Sequence, residues 1–549
     1  MHLSPTSTLR AVAICLTLAA GLLTAHPFAQ GVTAHAFLAQ EATATAAAAT
    51  LTPQEKRGKQ IYVQGTTAAG REVLAYVGDA SIEVPGSTLP CAGCHGLDGQ
   101  GKPEGGVVPS NLSWEILTKP YEVTQASGRK RPPYTERALE FAITRGLDPG
   151  GNKLHPAMPS YQMAREDLAD LVAYLKRVGQ DRDPGLTEKS ITVGTIVPTR
   201  GELSGVGQAI RATLTAFFDE VNSRGGIYNR KVELKFIETA DTPAATAASL
   251  RRSLQDEQVF ALAGAFTSGA DSEIAALADE LDVPVIGPLT LSPQTARPLN
   301  RHVFYLLSGL EEQARALVSY ASQKLQGDKS GVLVVYPESE LSAGVIAAVK
   351  DQCLKNGCGP VETEGYRRAQ FDAQGLAVKL GKTGKQVVLF LGAGGEAIAL
   401  MKEADKLNWS PAVYLPVAGG SGIMEAPLSF NRKIYLAFPT SPSDQTGDGV
   451  GEFRALAAKY NLPKTHLATQ LSVMGAAKIL VEALKRAGKD VSREKLIETL
   501  EGFNQFATGL TPAVTYGPNR RIGASGAYVV TIDLEKKEYL SASGWVDVD

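Results

Sequence analysis

One short motif of two cysteines and a histidine constrains this chain more than any other feature. It reads Cys91-Ala92-Gly93-Cys94-His95 and continues as Gly96-Leu97-Asp98-Gly99-Gln100-Gly101. The C-x-x-C-H spacing lets two thiols add to the two vinyl groups of one haem and brings the adjacent imidazole to the iron. The motif therefore predicts one covalently bound haem c, attached through Cys91 and Cys94, with His95 as an iron ligand.

A zinc site and a thioredoxin-type redox pair are the alternative interpretations of this motif. A zinc site would need further Cys or His residues at ligand spacing, and the neighbouring sequence offers none. A redox pair would sit between a strand and a helix, whereas this motif lies in a Gly/Pro-rich segment. Both alternatives explain the motif less well than covalent haem does.

A methionine further along the chain is the candidate for the second axial ligand. Met158 precedes a proline, which restrains the residue ahead of it, so its thioether lies in a rigid extended loop and can close over the open haem face. His155 is a rival and would give bis-histidine haem. Met163 is a second rival, but its place at the start of a helix favours packing. We favour Met158, because His/Met ligation raises the reduction potential and suits an electron carrier.

An amphipathic helix is predicted directly after this loop. Its apolar residues recur at helical spacing and are Leu168, Leu171, Val172, Leu175 and Val178. The same periodicity predicts that Asp167, Asp170 and Lys176 face water.

Residues 52–178 resemble the small class I c-type cytochromes. The shared pattern is a first helix with Gly58 and Tyr62, then C-x-x-C-H-G-x-D-G-x-G, Pro-Ser-Asn-Leu, Met-Pro-x-Tyr and a final helix. The resemblance implies an all-α domain over residues 51–180. One departure is that roughly 28 residues separate Tyr62 from the first cysteine, where compact family members have only a few. We expect this Gly-rich segment, residues 63–90, to cover one haem edge or a partner surface.

The resemblance also assigns roles to individual residues. It implies that Cys91 and Cys94 form the thioethers, that His95 is the proximal ligand and that Met158 is the distal ligand. A backbone carbonyl usually accepts a hydrogen bond from such a ligating imidazole, and Pro109 is the candidate for that role. An ordinary loop proline is the alternative interpretation of Pro109.

The N-terminal residues have the composition of an export signal. Arg10 precedes an apolar run from residue 11 to 25 that is too short to span a bilayer, and small residues suited to cleavage follow. We predict a signal peptide over 1–30, with an uncleaved anchor as the alternative, and an Ala/Thr-rich spacer over 31–50. No later segment reaches the length of a membrane span, so the sequence predicts a periplasmic protein without a membrane span after cleavage.

Length, charge and the remaining cysteines narrow the class of protein further. At ~150 residues per domain, a chain of 549 residues holds three or four domains. The formal net charge of −2 gives no support for nucleic acid as a partner. Cys353 and Cys358 flank four residues at the end of a helical stretch, and an oxidising compartment would permit a disulfide between them. Two free thiols are the alternative.

After a polar linker, residues 181–190, the pattern changes to strand–helix alternation. The first helical stripe ends at Gly225-Gly226. Short Val/Ile-rich runs predict buried parallel strands at Ile191–Val197, Val259–Leu262, Val283–Ile286, Val332–Tyr336, Val387–Leu391, Val413–Val417 and Ile434–Phe438. This alternation predicts a doubly wound α/β architecture that binds ligands at the carboxyl ends of its strands.

Residues 191–540 resemble the type I periplasmic solute-binding proteins of the leucine/isoleucine/valine-binding family. The motifs that carry this resemblance are the opening strand Ile191-Thr192-Val193-Gly194, the run Asp219-Glu220-Val221-Asn222-Ser223-Arg224-Gly225-Gly226-Ile227, and Ala263-Gly264-Ala265-Phe266-Thr267-Ser268-Gly269. The resemblance implies a two-lobed α/β domain over 191–549 whose hinge strands let it close on a small ligand.

The resemblance also points to ligand-binding residues at strand ends. Thr267 and Ser268 lie where family members hold a ligand carboxylate, Thr290 could add a donor, and Glu311 falls near a position that meets a ligand ammonium. The alternatives are that the hydroxyls cap helices and that the Glu interacts with a helix dipole. Family members often have a Tyr-Gly after the fourth strand, whereas this chain has Tyr336-Pro337. A simple branched-chain amino acid is therefore in doubt.

Taken together, these patterns predict a periplasmic haem c electron-transfer protein fused to a receptor for a small molecule such as an amino acid, amide or aromatic acid. Its expected partners are that solute and a periplasmic dehydrogenase or cytochrome. The alternative is an ABC-transporter receptor that serves a permease and uses the haem as a redox sensor or docking module. The sequence of residues 190–549 offers no nucleophile–base pair and no second cofactor motif, so we predict that the chain is not an enzyme.

Overall fold

The computed structural model describes residues 51–548, apart from 79, 102, 104, 126–127, 257 and 325–330. The predicted signal peptide (1–30) and spacer (31–50) lie outside the described residues. The described chain comprises a helical N-terminal domain followed by two α/β lobes, each built on its own sheet.

Short helices dominate the N-terminal domain. They are α1 (Pro53–Gln64), α2 (Cys91–His95), α3 (Trp114–Leu117), α4 (Glu136–Arg145) and α5 (Arg165–Leu175). Its short strands are β1 (Leu74–Val77), β2 (Ile82–Pro85), β3 (Val123–Thr124), β4 (Lys130–Arg131) and β5 (Ser160–Gln162).

The first and last of these helices form the frame of the domain. Thr52 begins α1 with a capping box, in which its side chain accepts from the backbone N–H of Glu55. Gly58 allows α5 to approach closely, because a Cβ at this position would lie 2.8 Å from the Cβ of Tyr174. The buried rings of Tyr62 and Tyr174 pack with their centroids 5.4 Å apart. Gly58 and Tyr62 therefore act together at one helix crossing.

The prediction that Asp167 and Asp170 face water is wrong. Both carboxylates are buried on α5, where Asp167 pairs with Arg71 and Asp170 pairs with Arg57. Arg57 lies on α1 and Arg71 lies just ahead of β1. Each is about a hundred residues from its aspartate in sequence. Helical periodicity cannot detect a partner at that distance, and a buried carboxylate needs one.

The unusually long segment before the cysteine motif is not simply a loop. Its strands β1 and β2 form an antiparallel hairpin, and β1 also pairs with β5, directly after Met158-Pro159. The resulting three-stranded sheet has the order β2-β1-β5. This segment therefore lies against the chain that carries the predicted distal ligand.

Lobe 1 is built on a six-stranded parallel sheet with the order β16-β10-β9-β8-β6-β7. Its strands are β6 (Ser190–Val197), β7 (Lys231–Glu238), β8 (Ala261–Ala263), β9 (Val285–Ile286), β10 (Val303–Leu307) and β16 (Ile522–Ala524). Its helices are α6 (Ser204–Ser223), α7 (Pro243–Asp256), α8 (Asp271–Glu280), α13 (Gly447–Tyr460), α14 (Leu467–Ala487) and α15 (Arg493–Glu501).

Lobe 2 is built on a seven-stranded mixed sheet with the order β12-β11-β13-β14-β15-β17-β18. Its strands are β11 (Val332–Pro337), β12 (Val361–Tyr366), β13 (Val387–Phe390), β14 (Ala412–Pro416), β15 (Ile434–Phe438), β17 (Gly526–Asp533) and β18 (Glu538–Asp547). Its helices are α9 (Leu310–Lys324), α10 (Glu340–Asn356), α11 (Ala373–Gly381) and α12 (Gly394–Lys406). Strand β17 runs antiparallel to both of its neighbours, β15 and β18, and the sequence did not predict this arrangement.

The seven strands predicted from apolar runs are confirmed, each within two residues of its predicted bounds. The sequence missed β7, β10, β12 and the three C-terminal strands. The edge strand β7 shows why, because its residues alternate between buried and exposed and so form no continuous apolar run.

The chain crosses between the lobes after β10, after β15 and after β16. Ser308 lies at the first of these crossings and is buried. Its Oγ lies 2.9 Å from the carbonyl oxygen of Ala524 and 2.6 Å from that of Gly526, which share its one O–H proton, and it accepts from the N–H of Gly526 at 2.7 Å. One hydroxyl thus joins two of the three connecting segments.

One helix disagrees with the expectation that no segment beyond the signal has the length of a membrane span. Helix α14 has 21 residues and a mean hydropathy of 1.4 over its most apolar window, 61% of which is buried inside the protein. It packs beneath the lobe 1 sheet, where Val473 lies beside Gly264 and Ala476 beside Gly287. Its apolar character reflects its place in the lobe 1 core.

The predicted linker makes specific contacts on both sides. Oδ2 of Asp181 forms an ion pair with Nζ of Lys59 of α1, at a distance of 2.8 Å. Asp183 accepts from the backbone N–H of Arg493 at 2.5 Å, at the start of α15. The buried guanidinium of Arg493 in turn donates to the carbonyl of Phe260 at 2.9 Å, below the lobe 1 sheet. Residues 181–190 therefore fasten the N-terminal domain to lobe 1.

Candidate functional site

A cavity of about 1070 Å³ lies at the centre of the N-terminal domain. Cys91, Cys94 and His95 line one part of it, and His155 and Met158 line another. Most of the remaining wall is apolar and comes from Leu112, Leu117, Leu139, Ala142, Ile143, Leu154, Leu171 and Leu175. Residues that are up to 84 positions apart in sequence, from Cys91 to Leu175, thus converge on one apolar chamber.

The imidazole of His95 is held in the orientation that a metal ligand needs. Its Nδ1 lies 2.9 Å from the carbonyl oxygen of Ser110. A carbonyl can only accept, so Nδ1 carries the proton and Nε2 keeps its lone pair. Burial lowers the pKa of His95, which favours the neutral form that binds metals. The proposed acceptor Pro109 is wrong by one residue, since Ser110 takes that role.

A tight glycine turn brings that carbonyl to the histidine. Gly101 has a φ of +87°, a left-handed value that favours glycine, and its N–H donates to the carbonyl of His95 at 2.8 Å. A Cβ at Gly101 would lie 3.1 Å from the carbonyl carbon of Pro109. The glycine therefore lets the two sides of the loop meet.

The two cysteines of the motif do not form a disulfide with each other. Burial raises the pKa of the Cys91 thiol to about 12. A redox-active pair requires a stabilised thiolate, so the surroundings of Cys91 disfavour that alternative.

The structure separates the three candidates for the distal ligand. Met158 and His155 line the cavity, whereas Met163 does not contribute to its wall and packs in the domain core. His155 is exposed, and its Nδ1 accepts from the N–H of Ala157 at 3.2 Å. Met158 is half-buried and packs against the same core, which matches an apolar thioether facing the chamber.

Two arginines that the sequence analysis did not single out also line the cavity. Arg131 is 1% exposed; its Nη atoms donate to backbone carbonyls, whereas its Nε is buried without a hydrogen-bond partner among the described residues. Nε of Arg129 lies 3.4 Å from Oδ2 of Asp148 and is therefore already paired with a carboxylate. A buried unpaired guanidinium N–H is costly, and a bound carboxylate would satisfy it. The propionates of haem are such groups, so Arg131 fits haem c. The only sequence signal was a basic cluster on the short β4 strand.

Three of the four predicted solute-binding residues, Thr267, Ser268 and Thr290, follow the carboxyl ends of strands in lobe 1. The hydroxyl of Thr267 donates to Asp271 at 2.8 Å, and its N–H donates to the carbonyl of Leu289. The N–H of Gly269 also donates to Asp271, at 3.2 Å. Burial raises the pKa of Asp271, and its hydrogen bonds to Thr290 and Thr267 oppose that rise. Asp271 was missed by the sequence analysis and organises this loop.

The donors of Thr267 are therefore engaged inside lobe 1. Ser268 is half-buried at the tip of the same loop, and Thr290 is half-buried at the end of the next strand. Glu311 lies in the first turn of α9 in lobe 2, where its carboxylate contacts Gly344 of α10. The structure thus places Ser268 and Thr290 on one lobe and Glu311 on the other.

The remaining two cysteines pair at the end of α10. Cys353 and Cys358 form a disulfide with their Cα atoms 5.1 Å apart, and both are buried in the lobe 2 core. Gly357 ends the helix in a left-handed conformation between them.

Comparisons with known proteins agree with this two-part architecture. A family model described as periplasmic binding protein matches residues 190–538, and one described as cytochrome c matches residues 87–179. The Leu/Ile/Val-binding protein homolog 3 of Brucella melitensis is 24% identical over 325 residues, which cover 58% of this chain and 85% of that protein. The Leu/Ile/Val-binding protein BraC3 of Rhizobium johnstonii is 23% identical, and the aligned residues cover 60% of this chain and 89% of that protein.

Solved structures show the same fold for the two lobes. A fatty acid ABC transporter substrate-binding protein from Thermomonospora curvata has a TM-score of 0.54 at 18% identity and covers 68% of this chain and 96% of its own. A branched-chain amino acid ABC transporter from Thermus thermophilus with bound valine has a TM-score of 0.54 at 16% identity. The match covers 66% of this chain and 97% of that one. The chain therefore belongs to the periplasmic binding protein family and carries a cytochrome c domain ahead of its two binding lobes.

Proposed function

We propose that this protein is a periplasmic electron carrier with one covalent haem c, fused to a receptor for a small solute. The observation that carries the proposal is the convergence of Cys91, Cys94, His95 and Met158 on one apolar chamber. The domain that holds this chamber is fastened by an ordered linker to lobe 1. A single polypeptide thus combines a haem-binding chamber with the architecture of a solute receptor.

The residues around the chamber have distinct parts in this proposal. When bound, haem c supplies one-electron exchange between ferrous and ferric iron. Cys91 and Cys94 would tether it, and His95 and Met158 would offer Nε2 and a thioether to its iron. Arg131 would provide charge for a propionate, and the apolar wall would exclude water, which favours the reduced form.

We place the mature protein in the periplasm. Its two families are typically periplasmic, and residues 1–30 have the composition of a signal peptide. The disulfide between Cys353 and Cys358 suits an oxidising compartment. We expect a periplasmic dehydrogenase or cytochrome as the electron-transfer partner.

The two lobes are proposed to close on a small carboxylate, amide or aromatic acid. Ser268 and Thr290 would contact it from lobe 1 and Glu311 from lobe 2, with Thr267 shaping the loop through Asp271. The relatives are substrate-binding proteins rather than enzymes. We propose that this chain, too, captures its solute without converting it.

Redox spectroscopy of the full-length protein tests the electron-transfer proposal. The purified holoprotein should cycle reversibly between ferric and ferrous states and exchange electrons with a second c-type cytochrome in a stopped-flow mixture. A haem that cannot be reduced and reoxidised without loss of protein would contradict the proposal.

A thermal-shift screen of the full-length protein tests the receptor. A solute at about a hundred times its dissociation constant stabilises the folded form by ~2.7 kcal/mol. Ser268→Ala should weaken binding by about 1 kcal/mol through loss of one hydrogen bond. Ser322→Ala is the control, because that hydroxyl donates within α9, to the carbonyl of Val318. A screen of carboxylates, amides and aromatic acids without any shift would contradict the receptor proposal.

The comparisons favour a second candidate function. Two of the similar solved structures are described as components of ABC transporters. In this alternative, the lobes deliver solute to a permease and the haem acts as a redox sensor or docking module. Solute uptake that depends on this protein and changes in cells carrying a haem-free variant would favour this alternative over electron transfer.

A further inference from the structure

The hairpin formed by β1 and β2, here called hairpin 74–85, contacts the segment that carries Met158. In the β1–β5 ladder, Leu74 lies opposite Gln162, Ala75 opposite Tyr161 and Tyr76 opposite Ser160. Strand β5 begins two residues after Met158. The ladder therefore fixes the backbone on the carboxyl side of the proposed distal ligand.

The tip of the hairpin reaches the other side of the same segment. The N–H of Gly78 donates to the carbonyl of Pro156 at 3.3 Å, two residues before Met158. At the carboxyl side, the hydroxyl of Tyr161 donates to the carbonyl of Leu89 at 2.7 Å. Both flanks of Met158 are thus bonded to the chain that precedes the cysteine motif.

A partly buried ion pair anchors the foot of the hairpin to α5. Nε of Arg71, three residues ahead of β1, lies 2.7 Å from Oδ2 of Asp167 in a bidentate pair. The Asp167 side chain is 4% exposed, whereas that of Arg71 is 45% exposed. Because Asp167 is buried, loss of Arg71 would leave a carboxylate without its charged partner. Arg71 therefore ties β1 to the helix that follows β5.

We propose that hairpin 74–85 is a positioning element that holds Met158 against the haem and keeps small external ligands off the iron. This inference rests on the proposed role of Met158 as distal ligand. An external ligand can reach the iron only after the Met158 segment swings away, and that local opening requires the β1–β5 ladder to break. The ladder and the Arg71 ion pair raise the free energy of that opening.

The chain offers a matched control for this proposal. Arg57 of α1 forms a second bidentate pair with α5, in which Nε lies 2.6 Å from Oδ2 of Asp170. The side-chain exposures of 47% and 7% are close to those of the Arg71 pair. Arg57→Gln therefore removes a similar ion pair from the same helix without touching the hairpin.

The experiment is an imidazole titration of the ferric, full-length holoprotein, monitored by loss of the sulfur-to-iron charge-transfer band. Arg71→Gln should raise the apparent imidazole affinity about tenfold, which corresponds to ~1.4 kcal/mol. Arg71→Lys should restore most of the wild-type resistance, and Arg57→Gln should stay within about twofold of wild type. Hydrogen exchange at residues 160–162 should accelerate in Arg71→Gln but not in Arg57→Gln.

Two different results would contradict the account, and they are distinguishable. Equal imidazole affinities and equal exchange rates for Arg71→Gln and Arg57→Gln would overturn the role of the hairpin while leaving the electron-transfer proposal intact. A charge-transfer band that survives Met158→Ala would instead overturn the distal-ligand assignment on which the inference rests.

Discussion

At the scale of single residues, the proposed haem chamber depends on one polar contact and one candidate ligand. The carbonyl oxygen of Ser110 lies 2.9 Å from Nδ1 of His95, and Met158 lines the same chamber. The contact from Ser110 sets which nitrogen of the imidazole remains free, so it determines the chemistry at that position.

Met158→Ala should leave the covalent haem in place but remove the sulfur-to-iron charge-transfer band and lower the reduction potential. The reason is that loss of His/Met ligation removes the ligand that favours the ferrous state. Absorption spectra and a redox titration measure both effects. Met163→Ala is the control and should change neither, since Met163 does not line the chamber. If the band is instead lost in His155→Ala, the assignment to Met158 fails.

A second residue-scale prediction concerns acid stability. Nη2 of Arg432 lies 2.8 Å from Oδ2 of buried Asp533 and holds the pKa of that carboxyl below its usual range. A depressed carboxyl pKa contributes stability above the unfolded value of about 4, and that contribution is lost as the pH falls through the folded pKa. Wild type should therefore lose unfolding free energy more steeply than Arg432→Gln below about pH 4. Urea titrations at several pH values measure the unfolding free energy of both proteins. If it fell equally with decreasing pH in wild type and in Arg432→Gln, this ion pair would not contribute to acid stability.

At the scale of elements, helix α10 is closed by the short loop between Cys353 and Cys358. The N–H of Cys358 donates to the carbonyl of Cys353 at 3.1 Å, and both side chains contribute to the lobe 2 core. The bridge thus connects the last helical turn to the chain that leads into β12.

Replacing both cysteines by alanine should lower the unfolding free energy by about 2 kcal/mol, because the unfolded chain regains the freedom of a short loop. Thermal denaturation with and without a reductant measures the effect. The reductant should destabilise wild type and leave the alanine variant unchanged. Equal responses of the two proteins would show that the bridge contributes nothing.

The elements also show how far the sequence determines the structure. Buried parallel strands are predictable because both of their faces are apolar, as at Ile434–Phe438, whose bounds were predicted without error. The edge strand β18 contains no buried residue and escaped notice. The C-x-x-C-H motif predicts the proposed attachment site because its chemistry is local. Arg131 and Ser110 were missed because their roles arise only when distant segments fold together.

At the scale of the whole molecule, the same lesson applies to the connection between the domains. Residues 181–190 were predicted from their polar composition as a linker, but composition gave no sign of the bonds that Asp181 and Asp183 make. These bonds attach the N-terminal domain to lobe 1 only. If the lobes close on a solute as proposed, the N-terminal domain would therefore move with lobe 1.

Native mass spectrometry of the full-length protein, purified from the periplasm of a host that matures c-type cytochromes, tests the central claim most directly. The account predicts a chain that has lost its signal peptide, keeps the mass of one haem after denaturation, and carries a small solute that denaturation releases. A chain that loses its haem on denaturation, or that binds none, would contradict the covalent haem c on which the proposed function depends.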